Sequence, residues 1–311
     1  MSRVLLTGAS GFIGRHALAA LAGAGHEVHA LSRRQPHGRA DGAGGAGAVS
    51  SGEATWHRAD LTDAGEAERA VREIGADALV HLAWYVEHGT YWHARENVVW
   101  VEATLRLLRA FIAAGGRRAV LAGTCAEYEW SRERYAETAP LGPATMYGVA
   151  KNATRQVAER LTADAEVELA WGRVFMPYGP GEGRERLLAS VATALLAGAP
   201  APVSQGTHVR DFIHVEDVAG AFAAMLDSSV QGAVNVGTGH GHSIREIVEL
   251  IAQAIGRPEL VRWGAVAQRD GEPAHLVADA GRLIDEVGYT PRLELREGVE
   301  RTVAWWRERA A

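Results

Sequence analysis

Three glycines separate the first apolar run of the chain from its first amphipathic segment. Residues 3–6 (RVLL) are followed at once by Thr7 and Gly8, a pattern typical of a short buried strand. Residues 12–25 (FIGRHALAALAGAG) carry apolar side chains at helical spacing, and residues 26–33 (HEVHALSR) form a second strand-like run. The order strand, glycine turn, helix, strand predicts a β-α-β unit with parallel strands.

The glycines of this turn predict contact with an anion. A helix N-terminus carries unpaired N–H groups and a partial positive charge, so a pyrophosphate binds there if no side chain blocks it. We expect Gly8 to allow the tight turn, Gly11 the close approach of the ligand, and Gly14 the packing of helix on strand. The spacing is G-x-x-G-x-x-G rather than G-x-G-x-x-G, and the alternative is a plain turn. Its place between strand and helix favours a dinucleotide.

The end of the second strand indicates which dinucleotide binds. Sites for NAD place a carboxylate here on the ribose 2′-hydroxyl, whereas residues 28–40 contain none. Ser32, Arg33 and Arg34 stand there instead, and arginine binds a 2′-phosphate. The sequence therefore predicts NADP(H) in preference to NAD, unless both arginines are solvated surface residues.

Further strand ends extend the predicted cofactor site. Asp60 and Leu61 follow a third strand, where Asp60 is placed to meet an adenine amino group, and Leu82 and Ala83 end a fourth strand. The complete set of predicted cofactor-binding residues is Gly8, Gly11, Phe12, Ile13, Gly14, Ser32, Arg33, Arg34, Asp60, Leu61, Leu82, Ala83, Tyr147, Lys151 and Val174.

A tyrosine and a lysine four residues apart indicate proton-transfer chemistry. Tyr147 and Lys151 lie one turn apart on one face of a predicted helix. A free tyrosine has a pKa of about 10, and a nearby ammonium, aided by a cationic nicotinamide, favours the phenolate and lowers that pKa. Thr124, at the end of a predicted strand, is placed to hydrogen-bond the substrate oxygen that Tyr147 protonates. The alternative is a solvated helix face.

These residues carry a resemblance that spans nearly the whole chain. The matching segments, in order, are TGASGFIG (7–14), DL (60–61), HLA (81–83), TCAEY (124–128), YGVAK (147–151), YGPGE (178–182), RDFIHVEDVA (210–219) and NVGTG (235–239). The chain resembles the extended short-chain dehydrogenase/reductases of the nucleotide-sugar epimerase/dehydratase family. The resemblance implies a doubly wound α/β Rossmann fold and Thr124, Tyr147 and Lys151 as the catalytic residues.

The resemblance also implies how the chain divides and what it binds. Residues 1–175, with returning segments near 208–240, would hold the dinucleotide, and residues 176–311 would mainly hold a nucleotide sugar. A homodimer through the helix of Tyr147 and the helix before it is typical of the family. The predicted substrate-binding residues are Thr124, Cys125, Glu127, Met176, Arg210 and Arg269. Family members often carry asparagine at the position of Met176, and Arg210 and Arg269 would bind the substrate diphosphate. The alternatives are a salt bridge with Asp211 or a neighbouring helix for Arg210, and a solvated loop charge for Arg269.

Four family chemistries are open to such a site. Dehydratases carry Asp-Glu directly after the threonine, where this chain has Cys125 and Ala126, which argues against dehydration. The 3,5-epimerase/reductases carry a cysteine where Ala126 stands. Because the predicted cofactor is NADPH, the sequence favours reduction of a nucleotide-linked 4-keto-6-deoxy sugar. A 4-epimerase is the alternative, and a non-catalytic NADP-binding sensor is disfavoured because the triad is complete.

Composition excludes several other classes of protein. The 311 residues carry a net charge of −6 and no basic run, which argues against a nucleic-acid partner. The single cysteine, Cys125, excludes an internal disulfide framework and fits a reducing cytosol. No apolar stretch approaches the ~20 residues of a membrane span, and no Cys/His cluster has zinc spacing. We therefore expect a cytoplasmic protein without a metal.

Overall fold

A computed structural model describes residues 1–33, 54–267 and 271–310 of the chain. The strands are β1 Arg3–Thr7, β2 Glu27–Ser32, β3 Ala54–Arg58, β4 Ala78–His81, β5 Arg118–Thr124, β6 Arg134–Tyr135, β7 Glu168–Val174, β8 Met176–Tyr178, β9 Ala201–Pro202, β10 Val209–Arg210, β11 Phe212–His214, β12 Gly232–Val236, β13 His242–Ser243, β14 Val261–Arg262 and β15 His275–Ala278. The helices are α1 Phe12–Gly23, α2 Ala64–Ile74, α3 Glu96–Ala113, α4 Met146–Asp164, α5 Leu187–Leu196, α6 Val215–Asp227, α7 Ile244–Ile255, α8 Gly281–Asp285 and α9 Leu295–Ala310.

Seven strands form one parallel sheet in the order β12-β7-β5-β4-β1-β2-β3. The chain moves outward from β1 to β3, then returns to the other side of β1 at β4. That reversal is the switch point at which doubly wound sheets bind their ligands. The predicted Rossmann-type α/β fold is confirmed, and the carboxyl ends of β1, β4, β5 and β7 meet at one edge.

Apolar helix faces cover both sides of this sheet. On one side α1 and α6 pack together, with Leu18, Leu21 and Phe222 buried. On the other side α2, α3 and α4 bury Leu107 and Phe111 against the strands. Full burial on both faces is what allows the strands to be almost wholly apolar.

The C-terminal third builds a second layer beside the carboxyl edge of the sheet. Its four-stranded sheet has the order β13-β10-β15-β6, and β8 pairs with β11 in parallel. A separate apolar core joins α5, α7 and α9, and Val299, Val303 and Trp306 are buried in it. Two segments cross between the layers, because β12 pairs with β7 in the first sheet and β6 pairs with β15 in the second. Within the described residues, no helix has the length and apolarity that crossing a bilayer requires.

Candidate active site

The glycine turn after β1 is shaped by backbone contacts on two sides. Gly8 has a φ of +73°, and a Cβ there would lie 2.8 Å from the backbone nitrogen of Ala83. A Cβ on Gly14 would overlap the carbonyl group of Gly8. Both positions therefore require glycine for the turn itself, since β4 and α1 pack directly against it.

Gly11 differs from its two neighbours. It is the N-cap of α1 with a φ of −77°, which any residue adopts, and a Cβ there would meet only the Gly8 oxygen, at 3.1 Å. No side chain caps the helix and no acidic residue lies in its first turn. The first turn thus presents bare N–H groups to an open space, which fits a dinucleotide pyrophosphate. Phe12 and Ile13, half-buried, begin the helix.

The carboxyl end of β2 presents one described arginine. Ser32 is the last residue of the strand and Arg33 is exposed, whereas Arg34 lies outside the described residues. Burial alone would raise the pKa of Asp60, but hydrogen bonds from Thr62 and the nearby charge of Arg33 outweigh burial and lower it. A cation and an anion therefore lie side by side at this end of the predicted cofactor site.

The other predicted cofactor residues line the same edge to different degrees. Leu82 and Ala83 are half-buried directly beside Gly8, and Leu61 is buried. Val174, the last residue of β7, is buried in the core under α6 and is 7% exposed. Of these four, the structure places Leu82 and Ala83 nearest to the glycine turn.

The structure brings Thr124, Tyr147 and Lys151 together. Thr124 ends β5, and its hydroxyl lies near enough to the phenol of Tyr147 to lower the pKa of that phenol. Tyr147 and Lys151 lie on the first turns of α4, which begins at the N-cap Thr145. The Lys151 ammonium donates to the Ala122 carbonyl oxygen at 2.8 Å. The three residues predicted to be catalytic, Thr124 at a strand end and the Tyr147–Lys151 pair on the next helix, thus lie in one cluster.

The electrostatics of the pair differ from the sequence expectation. Burial raises the pKa of Tyr147 above its ordinary value, and the Thr124 hydrogen bond opposes the rise only in part. Burial also lowers the pKa of Lys151 to about 7, while the carboxylate of Glu127 acts in the opposite direction. Burial thus disfavours both the phenolate of Tyr147 and the ammonium of Lys151.

Three aromatic residues that the sequence analysis did not nominate surround this pair. Tyr91 and Trp92 lie edge-on to the Tyr147 ring, with centroids 5.0 and 5.8 Å away. Trp84 places its ring face against Lys151, with Nζ 3.8 Å from the ring centroid. The only sequence signal was the aromatic density of residues 84–92 directly after a strand end.

Glu127 lies beneath the site rather than in it. Its carboxylate is fully buried and accepts hydrogen bonds from the Thr124 backbone N–H at 2.8 Å, Trp171 Nε1 at 2.9 Å and Arg173 Nε at 2.9 Å. These bonds close a capping box around the turn after β5. With both oxygens bound to protein donors, Glu127 supports Thr124 and has no surface to offer a substrate.

The remaining predicted substrate-binding residues differ in their burial and in their contacts. Burial raises the pKa of the Cys125 thiol to about 12, so the thiol stays protonated. Met176 is half-buried at the start of β8. The guanidinium of Arg210 is almost wholly buried and donates to the Pro273 carbonyl at 2.8 Å, with Glu272 at 3.4 Å. Arg269 lies outside the described residues. Arg210 therefore supports residues 272–274, which precede β15.

A buried histidine connects the glycine turn to α3. His81 Nδ1 lies 2.7 Å from Thr7 Oγ1, and Nε2 lies 2.9 Å from Thr104 Oγ1. Burial lowers its pKa to about 3, and the charge of Lys151 acts in the same direction. His81 is therefore neutral and holds β1, β4 and α3 together. Among the described residues, no three His, Cys, Asp or Glu side chains come together as a metal site.

Comparison with known proteins gives this geometry its context. The profile of the NAD dependent epimerase/dehydratase family matches residues 4–237. The UDP-glucose 4-epimerase of Corynebacterium glutamicum is 30% identical over 96% of this chain and 94% of its own length.

Two solved structures share the fold over almost their whole length. The UDP-glucose 4-epimerase of Thermus thermophilus in complex with NAD has a TM-score of 0.84 and 29% identity, and covers 98% of this chain and 99% of its own. The dTDP-glucose 4,6-dehydratase DesIV of Streptomyces venezuelae with NAD bound has a TM-score of 0.84 and 27% identity, and covers 98% and 97%. Both hold NAD, so the predicted preference for NADP(H) is not supported by these neighbours. The chain belongs to the NAD-dependent epimerase/dehydratase family.

Proposed function

We propose that the protein is a nucleotide-sugar 4-epimerase that inverts C4 of a UDP-hexose with NAD(P) retained on the enzyme. The observation that carries this proposal is the cluster of Thr124, Tyr147 and Lys151 at the carboxyl edge of the sheet, beside the bare N-terminus of α1. Full-length relatives with such a fold include UDP-glucose 4-epimerases. This choice replaces the reductase that the sequence favoured, because that preference rested on NADPH.

The chain's own residues divide the work of holding the cofactor. The first turn of α1 would bind the pyrophosphate, and Asp60 and Arg33 would lie toward the adenosine end. Lys151 would hold the nicotinamide ribose. The bound dinucleotide supplies a hydride acceptor and, on return, a hydride donor.

Proton transfer falls to Tyr147. Its phenol lies near the Thr124 hydroxyl and one turn from Lys151, so it is placed to take the proton from the sugar O4 and later return it. Thr124 orients the same oxygen through its hydroxyl. Burial raises the pKa of Tyr147, and the positive charge of a bound oxidised nicotinamide would favour the phenolate.

Dehydration lacks a suitable acid and base in this site. Directly after Thr124 the chain has Cys125, whose thiol stays protonated, and Ala126. The next carboxylate, Glu127, is enclosed by its protein donors. Loss of water from a sugar needs both groups, so the described site supports redox chemistry at C4 and not elimination.

A 4-ketoreductase is the second candidate, and one observation favours it. Arg33 is exposed directly after β2, and no carboxylate stands at this strand end. An exposed guanidinium without a neighbouring carboxylate in sequence is suited to bind a ribose 2′-phosphate. An enzyme that consumes NADPH would act on a 4-keto sugar and release oxidised cofactor.

Product analysis distinguishes the two candidates. We expect the protein with a catalytic amount of NAD(P) to interconvert UDP-glucose and UDP-galactose, followed by NMR of the anomeric signals, without net change in NAD(P)H absorbance. Stoichiometric NADPH oxidation with a nucleotide 4-keto-6-deoxy sugar, and no epimer, would instead establish the reductase. Conversion of UDP-glucose to a 4-keto-6-deoxy product would contradict both.

We also propose that the protein forms a homodimer through α3 and α4. Large apolar side chains are exposed on both helices, among them Val98 and Val99 on α3 and Met146, Val149 and Val157 on α4. On α4 these three lie at spacings of three and eight residues, which places them along one face. An apolar face on two adjacent helices is suited to packing against its own copy.

A further inference from the structure

Lys151 is the only lysine in the sequence, and the other residues counted as Lys or Arg are all arginines. Its side chain is only 3% exposed. An ammonium has three N–H donors, and Ala122 O accepts one of them at 2.8 Å. A buried ammonium needs further stabilisation.

The face of Trp84 supplies it in this structure. Nζ lies 3.8 Å from the ring centroid, well within the ~6 Å over which an indole face attracts a cation. Trp100 also packs near Trp84, with ring centroids 6.2 Å apart and ring planes tilted by 35°.

The orientation of Trp84 is fixed by Asn97. Trp84 Nε1 donates to Asn97 Oδ1 at 2.8 Å, and the Asn97 amide donates to the carbonyl oxygens of Tyr91 at 2.7 Å and Ala94 at 2.9 Å. Asn97 is fully buried at the start of α3. The side-chain amide of Asn97 thus connects Trp84, at the start of the segment between β4 and α3, to Tyr91 and Ala94 near its end. These bonds restrict the orientation of the indole ring.

We propose that Trp84 is a positioning residue that holds the Lys151 ammonium in place and in its charged form through the face of its indole ring. The contact stands on the geometry alone. Its consequence for turnover rests on the proposed function, in which Lys151 acts as a cation beside Tyr147.

Other charged and titratable groups face Lys151 from the elements packed around it. Glu127, after β5, favours the ammonium, and the neutral His81 lies on β4. Tyr147 and Arg155 lie one turn before and one turn after Lys151 on α4 itself, and Arg155 Nε is 3.9 Å from Glu127 Oε2. Trp171 Nε1 donates to Glu127 at 2.9 Å, so fluorination of Trp171 also acts on this set. The contribution of Trp84 is therefore the difference between the effect of fluorination in the wild type and its effect in a Trp84→Phe background.

The single lysine makes a direct test feasible. Protein labelled with carbon-13 at lysine Cε gives one side-chain NMR signal, whose titration reports the pKa of Lys151 without substrate. Replacing tryptophan by 5-fluorotryptophan withdraws electrons from the ring face with little change in shape. We expect the pKa of Lys151 to fall by a few tenths of a unit. The apparent pKa of the alkaline limb in the pH profile of kcat should fall by the same amount, with KM unchanged.

Two controls confine the effect to Trp84. In a Trp84→Phe background, 5-fluorotryptophan at the remaining positions, which include Trp171 beside Glu127, should shift the Lys151 titration by clearly less than in the wild type. Trp263→Phe, which removes a surface indole lying 4.0 Å from Arg245, should retain the full fluorine shift. An unchanged titration on fluorination, or an equal shift in the Trp84→Phe background, would overturn the proposal. Absence of epimerase activity with a fluorine shift present would instead overturn the proposed function alone.

Discussion

Three glycines of one turn have different physical reasons to be glycine. Gly8 and Gly14 are constrained by the protein, since a Cβ on either meets backbone atoms. Gly11 is constrained mainly by what approaches from outside, because its φ is ordinary and its Cβ would meet a single atom at 3.1 Å. Gly8 and Gly14 are therefore required for the conformation of the turn, whereas Gly11 is required for access of a ligand to it.

This distinction predicts opposite results for two alanine variants. Gly14→Ala should lower the free energy of unfolding by about 2 kcal/mol or more, because its Cβ overlaps the Gly8 carbonyl. Gly11→Ala should cost less than about 1 kcal/mol and weaken NAD(P) binding at least about tenfold. Chemical denaturation and cofactor titration by calorimetry measure the two effects. Equal losses of stability in both variants would show that Gly11 also serves only the turn.

Arg33 carries the prediction of cofactor preference. Its exposed guanidinium has the position, at the end of β2, from which a 2′-phosphate is bound. Arg33→Ala should weaken NADP(H) binding by about tenfold and leave NAD(H) binding within about twofold. Arg33→Lys, which retains the charge, is the matched control and should lose less. If the wild-type protein binds NADP(H) and NAD(H) with equal affinity, Arg33 does not bind the ribose 2′-phosphate.

At the scale of elements, His81 links β4 to β1 and α3. The folded protein keeps its pKa near 3, below the ordinary 6.5, so the unfolded chain takes up a proton between these values and the folded protein does not. The free energy of unfolding should therefore fall as pH drops from 6.5 toward 3. His214, buried at the start of α6 with a pKa also lowered by burial to about 3, acts in the same direction.

Replacement of the histidine tests this account. His81→Gln should reduce the slope of unfolding free energy against pH between 4 and 6 by up to about 1.4 kcal/mol per pH unit. Urea denaturation at several pH values provides the measurement. His26→Gln, at a histidine whose Nε2 lies 3.0 Å from an Asp227 carboxylate oxygen, serves as the comparison. A slope identical to that of the wild type would mean that His81 is protonated in the folded state.

The elements and the site differ in how far the sequence predicts them. The parallel strands and the pairing of Tyr147 with Lys151 follow from local spacing, because one helical turn places them on one face. The contact of Trp84 with Lys151 depends on β4 and α4 meeting across the sheet, and no local pattern encodes it. The burial of Arg210 depends likewise on β10 pairing with β15, which are more than sixty residues apart in sequence.

At the scale of the whole molecule, the dimer proposal has a direct test. Val157 is 45% exposed on α4, away from the catalytic face. Val157→Glu should shift the protein from dimer to monomer in light scattering and leave its circular dichroism unchanged, because a charge at the centre of an apolar interface is left unpaired. Val266→Glu, at another exposed valine outside both helices, should remain dimeric. A monomeric wild-type protein would contradict the proposal.

The fate of the hydrogen at C4 tests the central claim most directly. We predict that UDP-glucose carrying deuterium at C4 yields UDP-galactose that retains the deuterium at C4, in ordinary water and with a catalytic amount of NAD(P). Tyr147→Phe should bind the cofactor as tightly as the wild type and form no epimer. Loss of the deuterium to solvent, or undiminished epimerisation by Tyr147→Phe, would contradict hydride transfer assisted by Tyr147 and Lys151.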